Sequence, residues 1–209
     1  MGVAERRARE KEELRQEILV AARELFVKEG FANVSMRRIA EKIEYSPTTI
    51  YLYFEDKSGL LDCIVEERLQ ELCNQLQVLD AEAPREPIES LRAGLRKYVD
   101  YWLQHPQDFR VAYMTDLTEL DPDRPWGCQV LARALFESLM QKVRRCSDEG
   151  LLETTDIDLA SQSIWAAVYG IISLLVMRPH FPWVDQNLLI QTVIDSAING
   201  LKVPSLVVV

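Results

Sequence analysis

At 209 residues, with 48% hydrophobic and 27% charged side chains, the chain has ordinary globular composition and is long enough to bury a continuous core. Its formal charge of -9 excludes an overall basic footprint for a polyanion. The charge is uneven: residues 1–57 hold 11 Lys and Arg against 11 Asp and Glu, so the whole excess of -9 falls on residues 58–209 and only the first part is open to nucleic acid.

Strand signals are few, and helical punctuation recurs along the chain. The first helix is predicted from about Lys11 to Lys28, with Leu14, Ile18, Ala22, Leu25 and Phe26 on one face and Gly30 as its stop. Residues 1–10 read as an extension before it. Ser35 caps a second helix with Met36, Ile39, Ala40 and Ile43 inward. Ser46 caps a third, with Pro47 at the first helical position, where a missing N–H costs nothing. Asp56 caps a much longer fourth helix whose apolar side runs from Leu60 and Leu61 to Leu76 and Leu79.

Pro84 and Pro87 break the chain and open a fifth helix that reaches His105, and Pro106 opens a short sixth, "PQDFRVAYMTDL". Asp121–Gly127 reads as a loop or a ragged helix start. A seventh helix runs to about Asp148 and is stopped by Gly150. The eighth is capped by Asp156 or Asp158 and ends before Pro179. The ninth is capped by Asp185 and ends near Gly200. The expectation is an all-α chain of about nine helices, with the first three short enough to form their own cluster.

The most apolar run, Ile164–Met177, falls short of the roughly 20 residues a bilayer span needs, so it reads as a buried helix and no membrane partner is expected. Cys63, Cys73, Cys128 and Cys146 form neither a CxxC pair nor a metal-ligand spacing. With no signal peptide in view, they read as reduced thiols in a cytoplasmic protein. Catalysis is not expected: His105 and His180 lie in no Ser, Cys or carboxylate motif, no Gly-rich phosphate loop occurs, and no cofactor or metal is called for.

Two short helices joined by a tight turn and packed on a longer first helix form a helix-turn-helix, whose second member fits the DNA major groove. The helix starts at Ser35 and Ser46 offer N–H donors to phosphate. The stretch "ILVAARELFVKEGFANVSMRRIAEKIEYSPTTIYLYFEDKSGLLDCIVEER" resembles the N-terminal domain of the TetR/AcrR family of transcriptional regulators. The resemblance rests on Ala21, Ala22, Leu25, Phe26 and Gly30, then Ile39 and Ala40, then Ser46, Thr49, Tyr51, Tyr53, Phe54, Asp56, Lys57 and Leu60, and it covers about residues 11–67.

That resemblance implies roles. Tyr51 and Tyr53 would set their hydroxyls on the phosphate backbone, and Lys57 would neutralise a phosphate. Pro47 and Thr48 would touch base edges or thymine methyls, as would Thr49 if it is not turned inward. Arg37 would pair with a guanine, Arg38 would be an exposed charge or a phosphate contact, and Ile50 and Phe54 would be core. The family usually has a glycine in the turn where this chain has Glu44; either the turn differs or the side chain points away.

A single head of this size has few cations, so two copies on one duplex are needed for tight binding. The last two helices supply the means through Trp165, Val168, Ile171, Ile172 and Leu175, and through Leu189, Val193, Ile194 and Ala197, which read as an isologous homodimer interface. "WAAVYG" resembles the "W.A.HG" signature of one C-terminal class of the family, with Tyr169 in place of His. The family resemblance further implies a cavity for a small effector, with Trp102, Phe109, Tyr113, Met114, Trp126, Trp165 and Tyr169 as its candidate lining. The chain therefore reads as a DNA-binding domain, 1–56, followed by a ligand-binding and dimerisation domain, 57–209. The expected function is a repressor that leaves a palindromic operator when a mostly apolar molecule binds.

Overall fold

A computed structural model describes residues 2–82, 86–114, 126–154 and 156–201. Among these residues there are nine helices and no strand: α1 (Val3–Glu29), α2 (Met36–Lys42), α3 (Pro47–Tyr51), α4 (Lys57–Glu82), α5 (Pro87–Gln104), α6 (Pro106–Met114), α7 (Gly127–Asp148), α8 (Ile157–Met177) and α9 (Gln186–Asn199). The all-α expectation holds. Pro84, residues 115–117 of the sixth-helix reading and the loop assigned to residues 121–125 lie outside the described residues.

The caps explain the boundaries. The Ser35 and Ser46 hydroxyls accept from the N–H groups of Arg38 and Thr49, and Asp56 accepts from Gly59 at 2.7 Å to open α4. Asp156, rather than Asp158, caps α8 through Leu159, and Asp185 caps α9 through Leu188. Gly30 at φ 82 and Gly150 at φ 71 stop α1 and α7 in a conformation open to glycine at no cost.

One boundary and one inference depart from expectation. Helix α1 begins at Val3, eight residues before Lys11. Apolar periodicity could not find that start, because residues 4–13 are exposed and bury no face. Alanine, arginine and glutamate propensity extends a helix already nucleated further on. Exposed pairs Arg6–Glu10 and Arg9–Glu13, at 3.3 and 3.4 Å, add a few tenths of a kcal/mol each. Helix α8 has 21 residues, so by length and composition it could cross a bilayer, which corrects the argument from its apolar run alone. Its sequence is spent on packing instead: Ile164, Val168, Ile171, Ile172, Leu175 and Val176 are buried, and α8 packs on α5 and α9.

The chain forms two compact units. The first is Met1–Leu69 with Gln107–Gln129, and its core holds Ile18, Leu19, Ala22, Ile39, Ala40, Ile50, Leu60, Ile64 and Phe109. In it, Asp108 of α6 is paired with Arg23 of α1 at 2.7 Å, with Arg68 of α4 3.9 Å away, and Arg15 reaches Glu67 at 3.0 Å. The second unit is Gln70–Pro106 with Val130–Val209, cored by Leu72, Leu91, Val99, Tyr101, Trp102, Ile164, Ile172, Ile190, Ile194 and Ile198. Each fully buried aliphatic side chain contributes about 1.5–3 kcal/mol, so the fold rests on these layers and not on its surface ion pairs.

Candidate nucleic-acid interface

Helix α3 has only five residues, and with Leu52 at its C-cap and Phe54 beyond, it presents two faces. Ile50 is completely buried and Phe54 nearly so, which fixes one face against the core. The opposite face, Pro47, Thr48, Tyr51 and Leu52, is exposed. Tyr51 is 55% exposed and Leu52 75%, values that leave both side chains free to meet another molecule. Thr49 is turned aside: its hydroxyl lies 2.8 Å from that of Ser46, and its N–H is capped by the same serine. Tyr53 is half-buried, with the Lys11 ammonium 6.0 Å from its ring.

The turn into α3 settles what the sequence left open at Glu44. Its φ is 62°, so the turn keeps the left-handed geometry that the family's usual glycine would adopt, with a glutamate in its place. The turn is held by Tyr45 N–H donating to Ala40 O at 3.0 Å. A side chain in this conformation costs about 1 kcal/mol relative to glycine. Glu44→Gly is therefore expected to stabilise the protein by about 1 kcal/mol, a rise of some 2–4 °C in Tm by calorimetry; an unchanged or lower Tm would mean the turn carries no strain.

The cations of α2 are all engaged with carboxylates. Arg37 pairs with Glu41 at 3.1 Å, Arg38 with Glu29 at 3.0 Å and Lys42 with Glu24 at 2.8 Å. The hydrogen bond from Arg38 holds the Glu29 carboxyl below its ordinary range and raises the guanidinium in return. Arg37, its side chain 80% exposed, is the most accessible of the three. Lys57 does something its motif did not suggest. Its ammonium donates to Phe31 O at 2.9 Å and Ala32 O at 3.3 Å and lies 4.3 Å from the Phe31 ring centre, so it fastens the α1–α2 turn to the start of α4.

Two exposed residues on this surface escaped the sequence reading: Leu52 and Tyr45, the latter 43% exposed. The signal for Leu52 was present. If Ile50 and Phe54 share an inward face at spacing four, Thr48 and Leu52 share the outward one at the same spacing. Asp62 was missed too, and nothing local could have revealed it. Its carboxylate accepts from Gly127 and Cys128 N–H at 2.9 and 3.0 Å, capping α7 from α4. The Cys128 thiol is pushed up to about 12, first by burial and then by its hydrogen bond to Asp62. Removing this cap in Asp62→Ala is expected to cost about 1–2 kcal/mol in a denaturant melt; a melt identical to wild type would make the contact incidental.

The residues proposed for an effector divide between the units. Phe109, buried, lies 5.0 Å from Tyr113 by ring centres, and with Trp126, 9% exposed, they belong to the first unit. Trp102, fully buried, belongs to the second, as do Trp165 and Tyr169, whose rings are 6.0 Å apart. Trp165 also meets Phe136 at 6.0 Å, and its indole N–H reaches the Tyr98 hydroxyl at 3.5 Å. The side chain of Met114 lies outside the described residues.

The residues assigned to pairing divide by burial, with Trp165 exposed at 40%. Val168, Ile171, Ile172, Leu175 and Ile194 are buried within the protomer, because they are the face of α8 and α9 that packs on the core of the second unit. Leu189, Val193 and Ala197 are half-buried. Apart from Trp165, the apolar surface that remains open on α8 is a stripe of Leu159 (63% exposed), Ala166, Leu174 (50%) and Met177 (50%), with Ser163 and Gly170 between them. A Cβ built on Gly170 would meet nothing within 4 Å. On α9 and the loop before it, Leu188 and Val184 are exposed at 61% and 65%.

Comparison with known proteins agrees with this geometry. Residues 18–64 match the family of bacterial regulatory proteins called tetR, and residues 91–197 match the tetracyclin repressor-like C-terminal domain. The chain is similar to the HTH-type transcriptional regulator SAB2452 of Staphylococcus aureus (31% identical over 46% of this chain and 49% of the relative) and to UidR of Escherichia coli (32% over 43% and 39%). It thus spans less than half the length of these curated relatives. The HTH-type transcriptional activator FasR of Mycolicibacterium smegmatis is 24% identical over 68% of this chain and 63% of its own. Among solved structures, the TetR-family regulator PfmR of Thermus thermophilus has the same fold at a TM-score of 0.72, with 22% identity over 89% of this chain and 99% of the other. FadR of Bacillus halodurans, described as a fatty acid degradation regulator, also scores 0.72, with 19% identity over 88% and 94%. These relatives are named as regulators. The chain belongs to the TetR family of DNA-binding transcriptional regulators.

Proposed function

We propose that the protein is a cytoplasmic repressor that binds a palindromic operator as a homodimer and is released by a small, mostly apolar molecule. The observation that carries this reading is the uncovered outward face of α3, set on a buried Ile50 and Phe54. Residues 1–56 act as the DNA head. Tyr51 and Tyr53 meet phosphates, and Pro47 and Thr48 meet bases. Ser35 and Ser46 order the helix starts that face the backbone, with Thr49 completing the second cap. Lys57 holds the α1–α2 turn within the head and adds a positive charge beside the phosphates. Residues 57–209 pair the protomers and hold the effector.

A mostly apolar effector suits the aromatic side chains of the second unit, Trp102, Trp165 and Tyr169, and suits the fatty-acid role in the name of FadR. Effector binding tilts α4, which continues from the head, and moves the two heads out of register with half-sites about one helical turn apart. A tenfold release requires only about 1.4 kcal/mol of preference for one state.

Selection of bound duplexes from a random pool, followed by a screen of apolar compounds for release, tests this directly. A pseudo-palindromic site and release by an apolar compound are expected. Retention of no duplex at low ionic strength would remove the DNA reading. Within the selected site, Arg37→Ala is expected to cost about 1–3 kcal/mol and to relax preference at one base per half-site, since Arg37 leaves Glu41 for a guanine. An identical preference in the variant would assign Arg37 to its carboxylate alone.

A further inference from the structure

The outward face of α3 has an unusual chemistry for a DNA-reading helix. It presents Pro47, Thr48 and Tyr51, with Leu52 at the helical C-cap, and among them there is no arginine, lysine, asparagine or glutamine. The bidentate hydrogen bonds that distinguish guanine or adenine need such a side chain. Thr49 is not a substitute, because its hydroxyl is 2.8 Å from Ser46 inside the cap. What the face does offer is carbon: the proline ring, the threonine methyl and a leucine that is 75% exposed on the same side as Thr48. An exposed leucine gains nothing from a phosphate, but it buries apolar area against the one apolar group in the major groove, the C5 methyl of thymine.

We propose that α3 reads its operator through thymine methyl groups, with Leu52 as the principal specificity-determining residue and the Thr48 methyl beside it. The proposal rests on the DNA-binding reading above and deepens it by naming what the helix recognises. Each half-site then carries thymines, as A·T pairs, opposite α3. Purine discrimination by hydrogen bonding falls to Arg37 on α2, outside this helix.

Deoxyuridine tests the idea cleanly, because it removes the methyl and leaves every pairing group unchanged. A duplex selected by the wild-type protein is rebuilt with deoxyuridine at each half-site thymine in turn, and binding is followed by fluorescence anisotropy at one salt concentration. At one or two positions per half-site the replacement is expected to weaken binding about fourfold, the worth of one buried methyl, and about fifteenfold when both half-sites are altered. Leu52→Ala, at a position exposed enough to leave folding intact, is expected to bind the thymine duplex more weakly and to lose the difference at one of those positions. Thr48→Ser should lose it at the neighbouring one. Equal binding of thymine and deoxyuridine duplexes by the wild type would overturn the proposal, as would half-sites without thymine, or a full deoxyuridine effect in both variants. Each of these results leaves DNA binding itself standing, whereas failure to select any duplex would overturn the DNA reading on which the proposal rests.

Discussion

Placing a glutamate at Ala166 is expected to leave the protein folded but monomeric, and to lower operator affinity by about 10²–10⁴-fold. The magnitude is what linking two modest binding events on one duplex contributes. Ala166 lies on the exposed side of α8, between Leu159 and Leu174 and beside Ser163 and Gly170, where small side chains allow close approach of a second helix. Across a two-fold axis the same patch meets itself, so one substitution brings two carboxylates toward an apolar seam with no counter-charge. Because Ala166 is exposed in the protomer, the charge costs the monomer little. Ile171, on the sequence's own reading of the pairing face, would make a poor test: at 5% exposure a charge there disrupts the core before it disrupts a dimer. Light scattering and anisotropy check the expectation, and a dimer of unaltered affinity in Ala166→Glu would place the interface elsewhere.

The largest stability effect is expected from Asp108→Ala. This carboxylate, 10% exposed by its side chain, lies 2.7 Å from the Arg23 guanidinium, itself 18% exposed. Its removal leaves a largely buried cation without its counter-charge, and breaking such a pair from one side costs about 3–5 kcal/mol. For a chain of this size, that is a fall of about 10 °C in Tm. Asp108→Asn should cost less, because the amide oxygen keeps a partial negative charge beside Arg23. The pair ties α6 to α1, on which α2 packs, and α3 packs in turn on α2, so the loss is expected across the first unit in hydrogen exchange. An Asp108→Ala protein within about 1 kcal/mol of wild type would show that water already solvates both groups.

Much of the head was legible because its signals are local. Ser35, Ser46 and Asp56 sit where a helix must begin, Pro47 where a proline is harmless, and Ile50 and Phe54 at the spacing that puts both inward. The first turns of α1 were not legible, since their helicity comes from propensity and exposed ion pairs that leave no apolar stripe. The two sides of α8 were not separable in the sequence for a different reason. Its residues are apolar on both sides, and periodicity finds a face without saying which partner covers it; Ile171 and Leu174 look alike until burial separates them. The Asp62–Gly127 cap and the Asp108–Arg23 pair join residues distant in sequence, and only the fold brings them together. Glu44 stands between these cases, because the sequence posed the question of its turn and only the backbone angle answered it.

In the proposed function, two copies of the α3 face occupy one operator together. Hydroxyl-radical footprinting on the selected duplex, combined with the mass of the complex by light scattering, measures this most directly. Two protomers per duplex, protecting two patches about one helical turn apart on the same side of the DNA, is the expected result. A single protomer, or protection that survives unchanged when Pro47, Thr48, Tyr51 and Leu52 are all replaced by alanine, would contradict it.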